Sequence, residues 1–368
     1  MFNFEYLILE IFLLILFILD YKQNKKFKYT PWKKIAIIIY ILFWGLRGFI
    51  GTDFSWYYPF FNQIPTDNLY NAITYRPLIE PGYSVYQYII KNIYPNYHFF
   101  IFISTIINTI ILDYIFKKEI PRYYILGFII FMAFCANMEF NNLRNIKSIL
   151  LFFISIKYIH NKNFKKFLLL NLLGLTFHST SIFYIPLYFI LNKNWRKLIL
   201  PIIFVGFIVV IFNIGLISPI ALYLGSILGG KYLSATEVFI SNAVSSGFTF
   251  GAIERLLIGL LVYYIYPTTK GNINRIYANL LICYLICFSY FNDIPVFRLR
   301  FALMFAPAIC IIFPFCIYVI KRKYKIAVTL FIMCCIFLQS IINFQGHLFE
   351  YDNLIFGIKS YEQRLNNL

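Results

Sequence analysis

Apolar blocks of roughly 17–25 residues recur from one end of this chain to the other, and that is the length a bilayer demands of a crossing helix. They lie near residues 4–19, 32–46, 98–116, 123–140, 146–160, 198–216, 253–267, 273–291, 300–320 and 325–343. In hydrocarbon a segment must satisfy its own backbone hydrogen bonds, which leaves the helix as the solution for such blocks. The pattern predicts an all-α fold, a polytopic transmembrane helical bundle with about 10–12 membrane segments. No stretch between the blocks is long enough for a separate soluble domain, so residues 1–368 read as a single integral membrane domain. Composition excludes a soluble class. The chain is 61% hydrophobic and 13% charged, against ~45–50% and ~25% in soluble domains.

The net charge of +18 invites a nucleic-acid reading, but its distribution argues against one. Lys22, Lys25, Lys26, Lys28, Lys33 and Lys34 form one cluster between blocks, and Lys321, Arg322, Lys323 and Lys325 form another. That is the positive-inside pattern, which sets orientation. The seven cysteines lie inside apolar blocks, without CxxC or Cys/His metal spacing, and read as small buried hydrophobes. No metal and no cofactor is expected. The N-terminus carries Glu5 and Glu10, with no basic region and no clear cleavage site, so a removable signal peptide is not expected.

Segment 165–191 interrupts the regularity with His178-Ser179-Thr180-Ser181 in its middle. It reads as one long span or as two half-helices. A single crossing would put Lys193, Arg196 and Lys197 and the later basic cluster outside. A re-entrant hairpin keeps both inside, and the positive-inside rule prefers it. Irregular backbone at such depth needs a protein-lined or water-filled cavity, which predicts His178 at an apex facing the outer side. This is the one broken segment the sequence suggests. Residues 47–97 and about 217–252 then lie outside, the first with an amphipathic helix over Tyr83–Ile93, the second as a mobile loop with Ser-rich 241–247. The tail from Phe344 lies outside as well.

Most charges beyond the basic clusters gather on that outer side: Arg47, Asp53, Arg76, Glu80, Glu139, Arg144, Lys147, Lys231, Glu237, Glu254, Arg255, Asp293, Arg298 and Arg300. Ionisable groups next to apolar blocks are costly unless paired or functional. Ordinary roles compete for each. Arg47 can snorkel to headgroups, Asp53 can cap a helix, Glu80 can be a loop carboxylate, and His178 can bind neighbouring helices. The aromatic excess reads mostly as membrane belt, with a few rings such as Trp56 and Tyr57 left for stacking on sugars.

Four of these motifs, in order, resemble the EpsG family of bacterial exopolysaccharide and O-antigen polymerases (Wzy-type). Arg47-Gly48-Phe49-Ile50-Gly51-Thr52-Asp53, followed by Tyr57 or Tyr58, resembles the family's Arg-x-x-x-Gly-Thr-Asp-x-x-x-Tyr. Glu80-Pro81-Gly82-Tyr83 resembles Glu-Pro-Gly-Phe. Asn142-Leu143-Arg144 resembles an Asn-x-Arg element, with Asn145 where the family has Gln. Phe177-His178-Ser179-Thr180 resembles Phe-His-x-Ser, with Thr180 in the Ser position. A late arginine, Arg298 or Arg300, also fits.

The resemblance implies polymerisation of undecaprenyl-diphosphate-linked oligosaccharide repeat units into O-antigen, capsular or exopolysaccharide. It places the enzyme as a multi-pass protein of the bacterial cytoplasmic membrane, acting at the outer face. Membrane lipid, a flippase and a chain-length regulator are the implied partners, and nucleic acid is not. The residue types suit the chemistry. A diphosphate leaving group calls for fixed cations, here Arg47, Arg144 and Arg298 or Arg300, with Thr52, Tyr57 and Asn142 as further binding groups. The acceptor hydroxyl needs a base, for which Asp53, Glu80 and His178 are candidates. The competing class is a lipid-linked oligosaccharide flippase, which paired broken helices would favour. Another membrane glycosyltransferase or an O-antigen ligase is the alternative among enzymes.

Overall fold

A computed structural model describes residues 3–23, 30–77, 79–241 and 249–368. Lys25, Lys26 and Lys28 of the first basic cluster, and nearly all of the Ser-rich run, lie outside the described residues. Among the described residues there is no β-strand, only isolated bridges at Arg47–Asn353 and Asn353–Gly357. The protein is an all-α, polytopic membrane protein. Among the described residues three helices are long and apolar enough to cross a membrane, Tyr97–Glu119, Phe250–Thr269 and Arg322–Asn343, and a bent pair makes a fourth if it is one span. Many of the other apolar blocks form helices too, most of them shorter, in keeping with the expected polytopic bundle. The contacts group the chain into two units, residues 1–190 with 332–368, and residues 191–331.

In the first unit, α1 (Phe4–Gln23), α2 (Pro31–Gly45), α6 (Tyr97–Glu119) and α7 (Tyr124–Cys135) pack together. Helix α7 is apolar all round and wholly buried, as a helix with no polar face must be. Lys33, expected in the basic loop cluster, is instead buried. Its ammonium donates to the Pro121 carbonyl at 2.9 Å and lies 3.8 Å from Asp20. The residues between α2 and α6 are more than an outer loop. They form α3 (Phe54–Gln63), α4 (Leu69–Thr74) and α5 (Pro81–Ile93), which contains the expected amphipathic stretch. Tyr57, Phe60, Phe61, Tyr83, Tyr97 and Phe100 are buried among them, so these rings build a local core and are not membrane belt.

The next helices are α8 (Asn137–Phe140), α9 (Asn145–His160) and α10 (Phe164–Phe177). Helix α10 stops at His178, whose backbone is extended. A 3₁₀ run, Ser179–Tyr184, then returns along α10. Ser181 donates to the Asn171 carbonyl at 2.9 Å, and the Tyr188 ring lies 4.9 Å from Phe164 and 5.1 Å from Phe167. The chain thus goes out as α-helix and comes back as 3₁₀ turns, which is the hairpin geometry expected for 165–191. Gly174 permits the close return, since a Cβ there would sit 2.6 Å from Ser181 Oγ. At the same end of α10, a Cβ on Gly82 would collide with Thr176. Glycine at that position brings the N-terminus of α5 against the C-terminus of α10.

The second unit is built around α15 (Asn274–Tyr290), which packs on α11 (Arg196–Ile211) and α14 (Phe250–Ile265). A mobile loop over 217–252 is not what the described residues form. Residues 217–241 make two paired helices, α12 (Ile217–Leu228) and α13 (Gly230–Ser241). Asp293 caps α12, its Oδ2 accepting from the Ile217 amide (3.0 Å), the Ser218 amide (2.7 Å) and the Ser218 hydroxyl (2.8 Å). The block near 300–320 is also not one straight span. It is α16 (Pro295–Leu303) and, after a break, α17 (Ile309–Val319), bent by 47°. Pro307 follows the break, and proline denies the preceding residue helical geometry and removes a backbone donor. The second unit therefore holds a broken helix where the sequence suggested none. Helix α18 (Lys325–Asn343) begins in this unit and ends in the first.

The hairpin yields a labelling prediction. In a background without the native cysteines, cysteine introduced at Lys162 and, separately, at Phe189 should react with a membrane-impermeant reagent from the same side. Reaction from opposite sides would mean that the return segment crosses the membrane.

Candidate functional site

Gly51 opens the site. Its φ of +81° belongs to the left-handed region, and a Cβ there would collide with the Asn141 side chain. With glycine, the following amides turn onto that side chain. Asn141 Oδ1 accepts from Thr52 N at 2.9 Å and Asp53 N at 3.2 Å. The Thr52 hydroxyl donates to Asp53 Oδ1 at 3.2 Å. Asp53 starts α3 without a side-chain cap bond, so the capping role that competes for it in the sequence is not the one it plays.

One helical turn on, Tyr57 points inward beside Arg144. Burial pushes its hydroxyl up to about 12, against the opposing pull of Arg144, so the phenol stays neutral. Arg144 stands at the start of α9. Its Nη1 donates to Glu80 Oε2 at 2.7 Å. The other oxygen of Glu80, Oε1, accepts from the Ser179 amide at 2.9 Å. Glu80 itself precedes α5 and reaches Ser179 because Gly82 lets α5 approach α10.

The fourth segment closes the group. His178 Nδ1 and Thr180 Oγ1 are 2.9 Å apart, and Thr180 Oγ1 donates to Asn145 Oδ1 at 2.9 Å. The Thr180 amide also points at Nδ1, at a longer 3.3 Å. The His178 ring is thus held at Nδ1 by both the hydroxyl and the amide of Thr180. Asn145 and Thr180 are two of the positions where this chain departs from the pattern it resembles, and they touch each other.

Asp53, Thr52, Tyr57, Glu80, Arg144 and His178 are therefore brought to one place in the first unit. Asn142 is half-buried beside them, its carbonyl accepting from the Ile146 amide. Arg47 is elsewhere. It is 3% exposed, its guanidinium donates to the carbonyls of Trp44 and Glu139, and it lies 3.4 Å from Thr105 Oγ1. It faces protein, so its place is that of an interior arginine tying the end of α2 to α8. Arg298 and Arg300 are on α16 in the second unit, Arg298 half-buried and donating to Asn292 Oδ1 at 2.9 Å, Arg300 exposed.

Sequence reasoning missed three contributors. Asn141 was legible only as part of an asparagine run. The Ser179 amide has no sequence signal. The tail is the third. Gly48 N donates to the Asp352 carbonyl (3.0 Å), Gly51 N to the Leu348 carbonyl (2.8 Å), and Leu354 N to the Leu46 carbonyl (2.8 Å). Buried Arg364 holds the tail through Asp352 at 2.9 Å and Glu350 at 3.6 Å. The Lys359 ammonium donates to the Glu350 carboxylate and keeps it below the usual range.

Behind the site lies a second polar group inside the bundle. Glu139 Oε2 accepts from Asn108 Nδ2 at 3.0 Å, while Lys147 donates to Asn108 Oδ1 and, at 3.0 Å, to the Ser104 carbonyl. Arg47 and Lys147 are both electrostatic neighbours of Glu139, and all three are buried.

No curated protein and no solved structure matches the chain. The EpsG family matches residues 32–353, a range that runs from the start of α2 into the tail and takes in every residue of the site. The chain belongs to the EpsG family, the family of Wzy-type polysaccharide polymerases.

Proposed function

We propose that this protein joins lipid-diphosphate-linked oligosaccharide repeat units into a polysaccharide at the outer face of the bacterial cytoplasmic membrane. The observation that carries the reading is the double use of Glu80, which holds Arg144 with one oxygen and the Ser179 amide with the other. That bridge fixes a cation and a histidine from distant parts of the chain side by side. Transfer of a glycosyl group from a diphosphate needs such a pair, a base for the acceptor and fixed positive charge for the leaving group.

In this reading the acceptor hydroxyl gives its proton to the His178 imidazole as its oxygen bonds to the anomeric carbon. The bond from that carbon to the lipid diphosphate breaks, and the diphosphate leaves with the electron pair. Arg144 meets the growing charge, and the late arginine, Arg298 or Arg300, is assigned to the same group by the resemblance. Glu80 has both oxygens engaged, one by Arg144 and one by the Ser179 amide. Its role is to position. Asp53 remains the second candidate base. Arg47 supports the site from inside. The product, whether O-antigen, capsule or exopolysaccharide, is set by the units supplied, and a flippase and a chain-length regulator are the natural partners.

A transporter of lipid-linked oligosaccharide is the second reading, favoured by the bent pair α16–α17. Complementation of a polymerase-null strain separates them. A ladder of glycan lengths supports the polymerase, and a single repeat unit that now reaches the outer face supports transport.

Two predictions follow from the assigned roles. His178→Ala in purified protein with a synthetic lipid-linked repeat should lower turnover by ~10²–10⁴-fold while binding of the repeat holds. Turnover near wild type would remove His178 as the base. Arg144→Lys should recover only part of the activity lost in Arg144→Ala, because an ammonium cannot span Glu80 and a phosphate as a planar fork does. Full recovery would reduce Arg144 to a point charge.

A further inference from the structure

Two side chains of the tail, Tyr361 and Arg364, lie beyond residues 32–353, the range that the EpsG family matches, yet both bear on the turn that carries Thr52 and Asp53. They stand on a short helix, α19 (Tyr361–Leu365). A reciprocal cap starts it. The Ser360 hydroxyl accepts from the Gln363 amide at 3.2 Å, and Gln363 Oε1 accepts from the Ser360 amide at 2.8 Å. Tyr361 and Arg364 are three residues apart on this helix and so share a face.

Arg364 is 3% exposed. Its Nη2 donates to the Glu350 carbonyl at 2.7 Å and lies 2.9 Å from Asp352 Oδ2. The Lys359 amide donates to the same carboxylate oxygen at 2.8 Å. These bonds fold the tail back on itself and fix the carbonyls that meet the turn, Asp352 for the Gly48 amide and Leu348 for the Gly51 amide. A Cβ on Gly48 would collide with the Asp352 carboxylate, so turn and tail are fitted to each other. Tyr361 holds the far side of Asp53. Its hydroxyl donates to the Ser55 carbonyl at 3.1 Å, and its ring stacks on Tyr58 with centroids 4.6 Å apart. The Ser55 hydroxyl in turn donates to the Thr52 carbonyl at 2.8 Å. Thr52 and Asp53 are thus bracketed, by Gly48 and Gly51 before them and by Ser55 and Tyr58 after. A turn with two glycines has much conformational freedom to lose, and bonds at both of its ends take that freedom away.

We propose that Tyr361 and Arg364 are positioning residues, which hold the 48–55 turn in the form that presents Thr52 and Asp53 to the site. The use of Thr52 and Asp53 in glycosyl transfer rests on the polymerase reading. The hold of the tail on the turn does not.

The test takes two readouts from the purified full chain in detergent. One is amide hydrogen exchange followed by mass spectrometry, which reads local opening. The variants are Arg364→Ala and the milder Tyr361→Phe, which keeps the ring and removes the bond to Ser55. In both, exchange over 48–55 should quicken roughly tenfold, the loss of about one hydrogen bond, while α6 and α9 keep their rates. The other readout is turnover of a synthetic lipid-linked repeat. Here kcat should fall about tenfold or more while KM holds, because a displaced reacting group is costly even when binding survives. Arg364→Lys should restore both readouts, since one nitrogen serves both acceptors and an ammonium carries three donors. Unchanged exchange over 48–55 in either variant would overturn the assignment. So would quickening spread equally over α6 and α9, the mark of a merely structural role, and so would faster exchange with wild-type kcat. A native chain without turnover would count against the polymerase reading alone, because exchange decides the hold of the tail by itself.

Discussion

Three charged side chains, Arg47, Glu139 and Lys147, are buried together in the first unit, and much of its architecture follows from keeping them satisfied. A lone charge in such an interior is prohibitive, and breaking a buried set by removing one member costs about 3–5 kcal/mol. The members come from the end of α2, from α8 and from α9, with Asn108 of α6 placed to serve both Glu139 and Lys147. Four helical segments are thereby fixed in mutual register by hydrogen bonds that water cannot replace. The outward-facing group sits on the same segments. Asn141 and Arg144 fall between Glu139 and Lys147 in sequence, so the register that satisfies the buried charges also aims the exposed ones.

The exposed group is assembled from four segments by short, specific contacts. Gly51 and Gly82 act by omission, each removing a Cβ where another side chain must pass. Asn141 organises the first segment and Glu80 joins the second to the third and fourth. The Thr180–Asn145 hydrogen bond ties the histidine-bearing segment to the start of α9.

Periodicity and charge made the broad fold legible. Block length announced helices, and the parity of Lys193, Arg196 and Lys197 with the later cluster pointed to the hairpin that the Ser181–Asn171 contact displays. The site was legible as a set of motifs, but its internal wiring was not. Whether Arg47 faces solvent or protein depends on where Trp44 and Glu139 place their carbonyls, and backbone carbonyls carry no sequence signature. The bend at 304–308 was missed because Pro307 lies within a strongly apolar block, and hydropathy averages over a single missing donor. The aromatic rings of 54–100 read as membrane belt in the sequence because composition cannot tell a ring in a local core from one at an interface. The helices over 217–241 were hidden by Gly225, Gly229 and Gly230, which read as flexibility but fall within and between two helices.

The backbone pairing of residues 46–51 with 348–354 bears on how the protein is made. A nascent chain inserts its helices in order as they leave the ribosome. The glycine-bearing turn at 48–51 is synthesised well before the strand-like partner at 348–354 that holds it. Contacts so distant in sequence form late. Every helix between them can be in the bilayer while this turn still lacks its hydrogen bonds, so the turn that presents Thr52 and Asp53 is completed only once residues 348–354 have been made.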